Sequence, residues 1–259
     1  MTLKGKFDTD ERALIHRISA HDNFGTRDLN QWIFQNLEIT RNIAVLDLGC
    51  GIGKQTIPMA RVVGNSGSVV AIDISEKALR ILNELAVQEM VMKQITKLCC
   101  NIDEIPSVLK KSSFDRILSS FALYYSQDPE KVITGLWNLL KSNGILFYCG
   151  PAYGNNQELR TFHYGVAKLQ IPPEIGPPEF METSSLILTR KIFSNVEVFH
   201  FENPLQFDSV ESLHQYWSSY NLYDKDLEND FLLAATHHFR SHSIFETTKR
   251  VVGVKATKD

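Results

Sequence analysis

The segment over residues 45–53 carries the residue types and spacing that most directly indicate chemistry. It reads as an apolar strand containing one acid, Asp47, followed by glycines at alternate positions. These glycines are Gly49, Gly51 and Gly53. Glycine lets the backbone pass close to a ligand and can adopt positive φ. A helix-like segment over residues 54–63 follows at once, and its N-terminus would offer unpaired N–H groups and a positive dipole end. This order predicts a nucleotide-binding corner at the carboxyl edge of an open α/β sheet.

Two familiar glycine motifs do not fit this turn. The dinucleotide fingerprint is GxGxxG, and Lys54 stands where its third glycine should be. The Walker A pattern also fails, because no Gly-Lys-Ser/Thr sequence follows. An acid two residues before the first glycine, followed by GxGxG, is a different signature. With it the chain resembles the class I S-adenosylmethionine-dependent methyltransferases, well over residues 43–150 and more weakly at both ends.

The resemblance implies roles for the acids on the first two strands. In that family the glycine turn passes under the methionine portion of the cofactor, and the acid equivalent to Asp47 orders the turn and the amino-acid moiety. Asp73, which ends the second strand, would bind the ribose hydroxyls through charge-assisted hydrogen bonds. Two alternatives remain open: Asp73 only helps to cap the next helix, and the glycines only form a tight turn.

The third strand region resembles the family's "GDAEELP" segment, here Cys-Asn-Ile-Asp-Glu-Ile-Pro over residues 100–106. Asn101 replaces the usual aspartate, and its amide oxygen can still accept a hydrogen bond from the adenine amino group. The resemblance further implies that Ile102 presents its backbone N–H to the ring and that Ile74 packs on the ring face. Simple core filling is the alternative for both isoleucines.

The fourth strand, residues 114–124, resembles the family's "FDxVxSxxALHH" segment. Ser119 would then lie at the carboxyl edge of the strand, near the methionine carboxylate and the sulfonium. Tyr124 and Tyr125 replace a frequent histidine. They form either the floor of an acceptor pocket or ordinary aromatic packing.

The acceptor side is expected from the aromatic segments on either side of the glycine core. An oxygen or nitrogen acceptor can need a base, and His163 is the leading candidate, although a lone histidine among aromatic residues is often structural. The other candidates for the base are His21, Tyr153 and Tyr164. Aromatic walls with few charges suit a small acceptor, and the alternative is that they form the core of accessory helices. The acceptor-contacting residues expected are Tyr124, Tyr153, Tyr164 and Trp217.

The elements that must position these residues follow from hydrophobic periodicity. Continuously apolar strands alternate with helices up to residue 150, which indicates a parallel sheet covered on both faces. One helix is predicted to start at Asp128-Pro129 and to end at Asn143-Gly144. With two later strands, the prediction is a Rossmann-like α/β fold, a seven-stranded, mostly parallel sheet in a three-layer α/β/α sandwich. One domain over residues 1–259 would comprise a helical cap (1–40), a cofactor-binding core (41–150) and an acceptor cover with the terminal strand pair (151–259).

Composition excludes several function classes. The net charge of −3 and the absence of a basic run give no reason to expect a nucleic acid or a membrane surface as partner. The N-terminal residues carry no apolar signal region, and no apolar stretch reaches the roughly 20 residues that span a bilayer. The four cysteines lie in or beside apolar runs without a CxxC pair, so we expect reduced, buried thiols, a cytoplasmic location and no metal site.

The sequence therefore predicts a methyltransferase that uses S-adenosylmethionine as cofactor and methylates an oxygen, nitrogen or carbon of a small molecule by direct in-line displacement. Two other classes remain as alternatives. One is a protein that binds the cofactor without catalysis, and the other is an NAD(P)-dependent oxidoreductase, against which the missing third glycine argues.

Overall fold

The computed structural model describes residues 24–259. Its strands are β1 (Ala44–Leu48), β2 (Ser68–Asp73), β3 (Ile95–Cys99), β4 (Phe114–Ser120), β5 (Leu140–Pro151), β6 (Asn195–Phe207) and β7 (Phe245–Thr257). Its α-helices are α1 (Leu29–Leu37), α2 (Thr56–Val63), α3 (Glu76–Gln88), α4 (Ile105–Val108), α5 (Pro129–Leu139), α6 (Gln157–Ala167), α7 (Pro177–Glu179), α8 (Ser185–Ile192), α9 (Val210–Ser218) and α10 (Glu228–Ser241). A π-helical segment, Phe180–Ser184, joins α7 to α8.

The strands form one seven-stranded sheet in the order β3-β2-β1-β4-β5-β7-β6. The pairs from β3 to β5 are parallel, and β7 runs antiparallel to β5. The chain moves outward from β1 to β2 and β3, then returns to place β4 on the other side of β1. Ligands of open α/β sheets bind at such a reversal, outside the carboxyl ends of the strands. The predicted fold class, a mostly parallel seven-stranded sheet with helices, is confirmed.

The chain divides into two compact units. The larger unit comprises residues 29–153, 175–201 and 251–259. The described part of the smaller unit comprises residues 24–28, 154–174 and 202–250. The prediction of one domain with boundaries at residues 40 and 150 remains a prediction.

The central strands of the larger unit are apolar on both faces. On β1, Val45 belongs to one buried cluster and Leu46 to another, and on β4 Leu118 and Ile117 divide in the same way. Successive side chains of a strand point to opposite faces, so these strands have a buried layer on each side. This explains why they read as continuous apolar runs rather than as alternating ones.

The smaller unit has an aromatic core. Trp217 is stacked on Phe231, with ring centroids 3.9 Å apart and planes 4° from parallel. Phe207 stacks on Tyr216 at 5.1 Å, and Leu159 of α6 is fully buried in the same cluster. Aromatic pairs of this kind add to the burial that stabilises a small core.

One predicted boundary is wrong. The helix α5 ends at Leu139 rather than at Asn143-Gly144, and β5 begins with Leu140. Asn143 has a φ of 60°, as a turn residue would, but it lies within the β5 segment. Its N–H donates to the carbonyl of Lys258 at 2.8 Å, and the N–H of Lys258 donates to the carbonyl of Gly144 at 3.0 Å. The turn signal therefore marks an irregularity in a strand paired with the end of the chain.

None of the helices over residues 24–259 combines the length and apolar character that crossing a membrane requires.

Candidate cofactor site

The glycine turn follows β1 and bends the chain beside β2. Both Gly49 and Cys50 donate their N–H groups to the carbonyl of Ile72, at 2.8 and 2.9 Å. Gly49 has a φ of 76°, a conformation that residues with a Cβ rarely adopt. A Cβ at this position would also lie 2.2 Å from the Cβ of Ala122, closer than any real contact. The fold itself thus favours glycine at position 49, independently of any ligand.

The carboxylate of Asp73 links the glycine turn to the end of β2 by a hydrogen bond. Its Oδ2 accepts the N–H of Gly51 at 2.8 Å, and its Oδ1 accepts the N–H of Ser75 at 2.9 Å. The cap of α3 is Ser75, whose Oγ accepts the N–H of Ala78 at 3.1 Å. Each oxygen of an ionised carboxylate can accept a second hydrogen bond. Asp73 therefore has capacity left for two ligand hydroxyls. Its bond from Ser75 fits a part in starting α3, its bond from Gly51 goes beyond capping, and the ribose role remains a prediction.

Asp47 is buried beneath the turn and is only 1% exposed. Its Oδ2 accepts a hydrogen bond from the Oγ1 of Thr56, the first residue of α2, at 2.5 Å. Burial is the main reason why the pKa of Asp47 is raised to about 7; the bond from Thr56 opposes this rise and the charge of Asp73 adds to it. Burial also raises the pKa of the Cys50 thiol.

Sequence reasoning did not identify Thr56. The signal available was a hydroxyl residue nine positions after Asp47, at the start of the helix that follows the glycine turn. This signal is weak because Thr56 begins an apolar helix segment, in which a threonine reads as an ordinary helix residue.

The residues expected to meet the adenine lie after β2 and β3. Ile74 is 69% exposed, so core filling is wrong for this residue. Asn101 begins a 3-10 turn, Ile102–Glu104, and its Oδ1 accepts the N–H of Asp103 at 3.0 Å. The amide oxygen retains a second lone pair for a ligand. Ile102 is the first residue of that turn, so its N–H makes no hydrogen bond within the turn.

The end of β4 carries two unusual features. Ser119 is fully buried, and its Oγ finds no hydrogen-bond partner in the described part of the chain. Phe121 adopts a φ of 56°, and its N–H donates to the carbonyl of Cys149 at 2.8 Å. Strained residues of this kind cluster at ligand sites. This edge of the sheet is a suitable place for a nucleoside cofactor, because it combines the unpaired Ser119 hydroxyl, the strained turn at Phe121 and the glycine turn after β1.

Three tyrosines of the larger unit follow β4 and β5. Tyr124 packs against the buried cluster and lies 4.6 Å from the ring of Tyr125, which is 51% exposed. Tyr153 is 42% exposed, and its N–H donates to Oε1 of Glu182 at 2.7 Å. Tyr125 and Tyr153 are thus partly exposed to solvent, and Tyr124 fits both a pocket floor and ordinary aromatic packing.

His163 lies in the aromatic core of the smaller unit. Its Nδ1 accepts the Nε1–H of Trp217 at 3.3 Å, and its ring centroid is 5.0 Å from that of Tyr164. Burial lowers the pKa of His163, and the charge of Asp224 partly opposes this shift. The contacts of His163 with Trp217 and Tyr164, and the complete burial of Trp217, favour a structural role in the core for His163 and Trp217. A role as base or acceptor contact remains a prediction, and His21 lies outside the described residues.

The cysteines correct one expectation. All four are free, and Cys50 and Cys149 are buried, but Cys99 is exposed and Cys100 is partly exposed. Cys99 is the last residue of β3, an edge strand, so it has a neighbouring strand, β2, on one side only. Over residues 24–259 no group of three or more histidine, cysteine or acidic side chains is arranged to hold a metal ion.

Comparisons with known proteins agree on one family. A family described as a methyltransferase domain matches residues 39–174. The ubiquinone/menaquinone biosynthesis C-methyltransferase UbiE of Proteus mirabilis is 32% identical over 141 residues, which cover 53% of this chain and 54% of that protein. The enzyme of the same name from Pectobacterium carotovorum is 29% identical over 138 residues, with coverage of 53% and 54%. The chain thus spans about half the length of these relatives.

Solved structures with the same fold are more distant in sequence. Phosphoethanolamine N-methyltransferase 2 of Haemonchus contortus, in complex with S-adenosyl-L-methionine, superposes with a TM-score of 0.60 at 14% identity, over 98% of this chain and 59% of that one. Geranyl diphosphate C-methyltransferase of Streptomyces coelicolor has a TM-score of 0.54 at 13% identity, over 100% and 86% of the two chains. At these identities the likeness concerns the fold alone.

Proposed function

Because this chain belongs to the family of methyltransferase domains, we propose that it transfers a methyl group from S-adenosylmethionine to a small molecule. Family membership confirms the class predicted from the glycine turn, the class I S-adenosylmethionine-dependent methyltransferases, and with it the cofactor. The acceptor atom, an oxygen, nitrogen or carbon, and the direct in-line displacement are part of the proposal.

The observation that carries the proposal is the pairing of the glycine turn with Asp73. The bond from the Gly51 N–H to this carboxylate joins the β1 turn to the β2 acid, so a single ligand could contact both. Asp73 would hold the ribose hydroxyls, and Asp47 would order the turn that accommodates the methionine portion. Asn101 and Ile102 offer an acceptor and a donor to the adenine.

Two further side chains would complete the cofactor site. The exposed side chain of Ile74 would be covered by the adenine ring on binding. Ser119 would contribute its unpaired hydroxyl at the end of β4, near the methionine portion.

The chain's own contribution to chemistry would be alignment and the exclusion of water. The sulfonium of the cofactor supplies an already activated methyl group, so the hard step belongs to the cofactor. The protein must hold the acceptor atom in line with the methyl group in a dry site. Tyr124 and Tyr153 are proposed to contact the acceptor, with Tyr164, Trp217 and the base His163 as further candidates from the smaller unit.

The names of the relatives support a small acceptor, since they include quinone-biosynthesis C-methyltransferases and a phosphoethanolamine N-methyltransferase. The net charge of −3 supports an acceptor other than nucleic acid. We place the reaction in the cytoplasm as part of the same proposal.

The test is methyl transfer from labelled S-adenosylmethionine to a panel of quinols, phenols, amines and isoprenoid diphosphates. We expect S-adenosylhomocysteine to form only with an acceptor present, and the D73A variant to lose most of this turnover. Tight cofactor binding without acceptor-dependent product over the whole panel would favour the non-catalytic alternative. Binding of NADH in a fluorescence titration, without binding of S-adenosylhomocysteine, would favour the oxidoreductase.

A further inference from the structure

We propose that Thr56 is a positioning residue whose hydroxyl holds the Asp47 carboxylate under the glycine turn, and that cofactor binding is thereby coupled to release of a proton from Asp47. This inference rests on the proposed function, because it concerns the same cofactor site. It assigns a role to a side chain outside the family's glycine and acid motif.

The contact between the two residues is short and enclosed. Oγ1 of Thr56 and Oδ2 of Asp47 are 2.5 Å apart, and both residues are buried. A length of about 2.5–2.7 Å is typical of a hydroxyl that donates to an ionised carboxylate. Because Thr56 is the first residue of α2, this contact places Asp47 near the N-terminus of the helix, where the helix dipole favours an anion. Gln55, the residue before α2, makes no side-chain cap there.

Over residues 24–259, the groups that govern the ionisation of Asp47 include an acid and supply no counter-charge. Asp73 on β2 opposes ionisation, and Cys50 on the turn contributes a neutral thiol because its pKa is raised by burial. The residues in register with Asp47 are Ala71 of β2 and Leu118 of β4, both apolar. Thr56, on α2, is the hydrogen-bond partner that favours the charged form.

A cationic ligand group near this carboxylate would therefore favour its ionised form. The raised pKa of Asp47, about 7, places the protonated form below neutral pH and the charged form above it. Binding that requires the charged form is fully developed about one pH unit above this pKa and weakens as the pH falls through it. One pH unit below the pKa, about nine-tenths of the free protein must lose a proton first, which weakens the apparent affinity about tenfold.

Removal of the Thr56 hydroxyl should shift the pH at which the affinity falls, rather than only weaken binding. In T56V the charged form of Asp47 loses its donor, so the pKa of Asp47 rises and the fall in affinity begins at a higher pH. T56S retains a hydroxyl and should restore the wild-type midpoint. D47N has no proton to release, so its affinity should not change with pH over this range.

The experiment is calorimetric titration of the full chain with S-adenosylhomocysteine from pH 5.5 to 8.5. We expect about tenfold weaker binding by wild type at pH 6 than at pH 8, a higher midpoint for T56V and its recovery in T56S. Wild-type titrations at pH 7 in two buffers of different ionisation enthalpy should also reveal release of about half a proton, a readout that needs no variant.

Several outcomes would overturn the inference. If T56V binds more weakly than wild type by the same factor at every pH, Thr56 contributes only packing. Wild-type binding without pH dependence or proton release would remove the coupling, while tight binding itself would leave the proposed function intact. If wild type does not bind S-adenosylhomocysteine at any pH, the proposed function and this inference fail together.

Discussion

Substitution of Gly49 by alanine separates two reasons for glycine in the turn after β1. Gly49 has a φ of 76°, and an added Cβ would lie 2.2 Å from the Cβ of Ala122. Gly154 offers a matched control, because its φ is 72° and the nearest atom to an added Cβ lies at an ordinary 3.6 Å, on Arg250. The two variants share the backbone strain, and only the first adds a steric overlap.

The magnitudes follow from these two effects. A left-handed conformation costs a residue with a Cβ about 1–2 kcal/mol. The overlap in a packed interior adds about 1–3 kcal/mol. We therefore expect G154A to lose about 1–2 kcal/mol of unfolding free energy and G49A about 2–5 kcal/mol. Both values are below the ordinary stability of about 5–15 kcal/mol, so the G49A variant should remain foldable.

Equilibrium urea unfolding measures these losses, and calorimetry with S-adenosylhomocysteine measures their consequence for binding. Relief of the overlap must move the turn or the segment around Ala122, so G49A should bind at least about tenfold more weakly, or about 1.4 kcal/mol. G154A should keep wild-type affinity. Equal destabilisation of the two variants, or wild-type affinity in G49A, would refute the reasoning.

Three other perturbations test separate contacts. D73A should weaken binding of S-adenosylhomocysteine by about 1–3 kcal/mol because polar partners are left unpaired. S75A should instead cost about 0.5–2 kcal/mol of stability through loss of its helix cap, with little change in affinity. Calorimetry and urea unfolding distinguish the two variants, and unchanged affinity in D73A would mean that the ribose binds elsewhere. H163L should lower the unfolding free energy by about 1–3 kcal/mol by leaving the Trp217 N–H unpaired in the core, and full stability with lost turnover would instead favour the base role. G165A, in a helix and with open space around an added Cβ, should stabilise the protein by about 0.5–1 kcal/mol, and a lower midpoint in thermal unfolding would contradict that expectation.

The central sheet and the glycine turn were predictable because both depend on local patterns. Strands buried on two faces read as nearly continuous apolar runs, and β1 does so around Val45 and Leu46, with Asp47 as its one polar residue. The turn needs residues that tolerate positive φ, and the three alternate glycines supply them. The acid at the end of β2, Asp73, was recognised by its position alone.

The end of α5 was not predictable from the same rules. Asn143-Gly144 is a strong turn signal, and such signals commonly end helices. Here the signal belongs to β5, whose bend pairs with Lys258 more than a hundred residues later. A tertiary contact of this range leaves no local trace in the sequence.

The partners of the candidate site residues were also hidden. The bond between Thr56 and Asp47 joins a helix to a strand. His163 is a candidate base because it follows soon after the fifth strand. The sequence does not reveal that Trp217 from α9 donates a hydrogen bond to its ring. The exposure of Ile74 is likewise a property of the fold and cannot be inferred from its apolar side chain.

The most direct test of the central claim is a calorimetric titration of the wild-type chain with S-adenosylhomocysteine at pH 8, with NADH titrated in parallel. The glycine turn joined to Asp73 predicts one site per chain and a dissociation constant well below about 1 mM, or more than about 4.1 kcal/mol of binding free energy, with no response to NADH. Absence of binding at millimolar S-adenosylhomocysteine would contradict the claim that this edge of the sheet is a cofactor site.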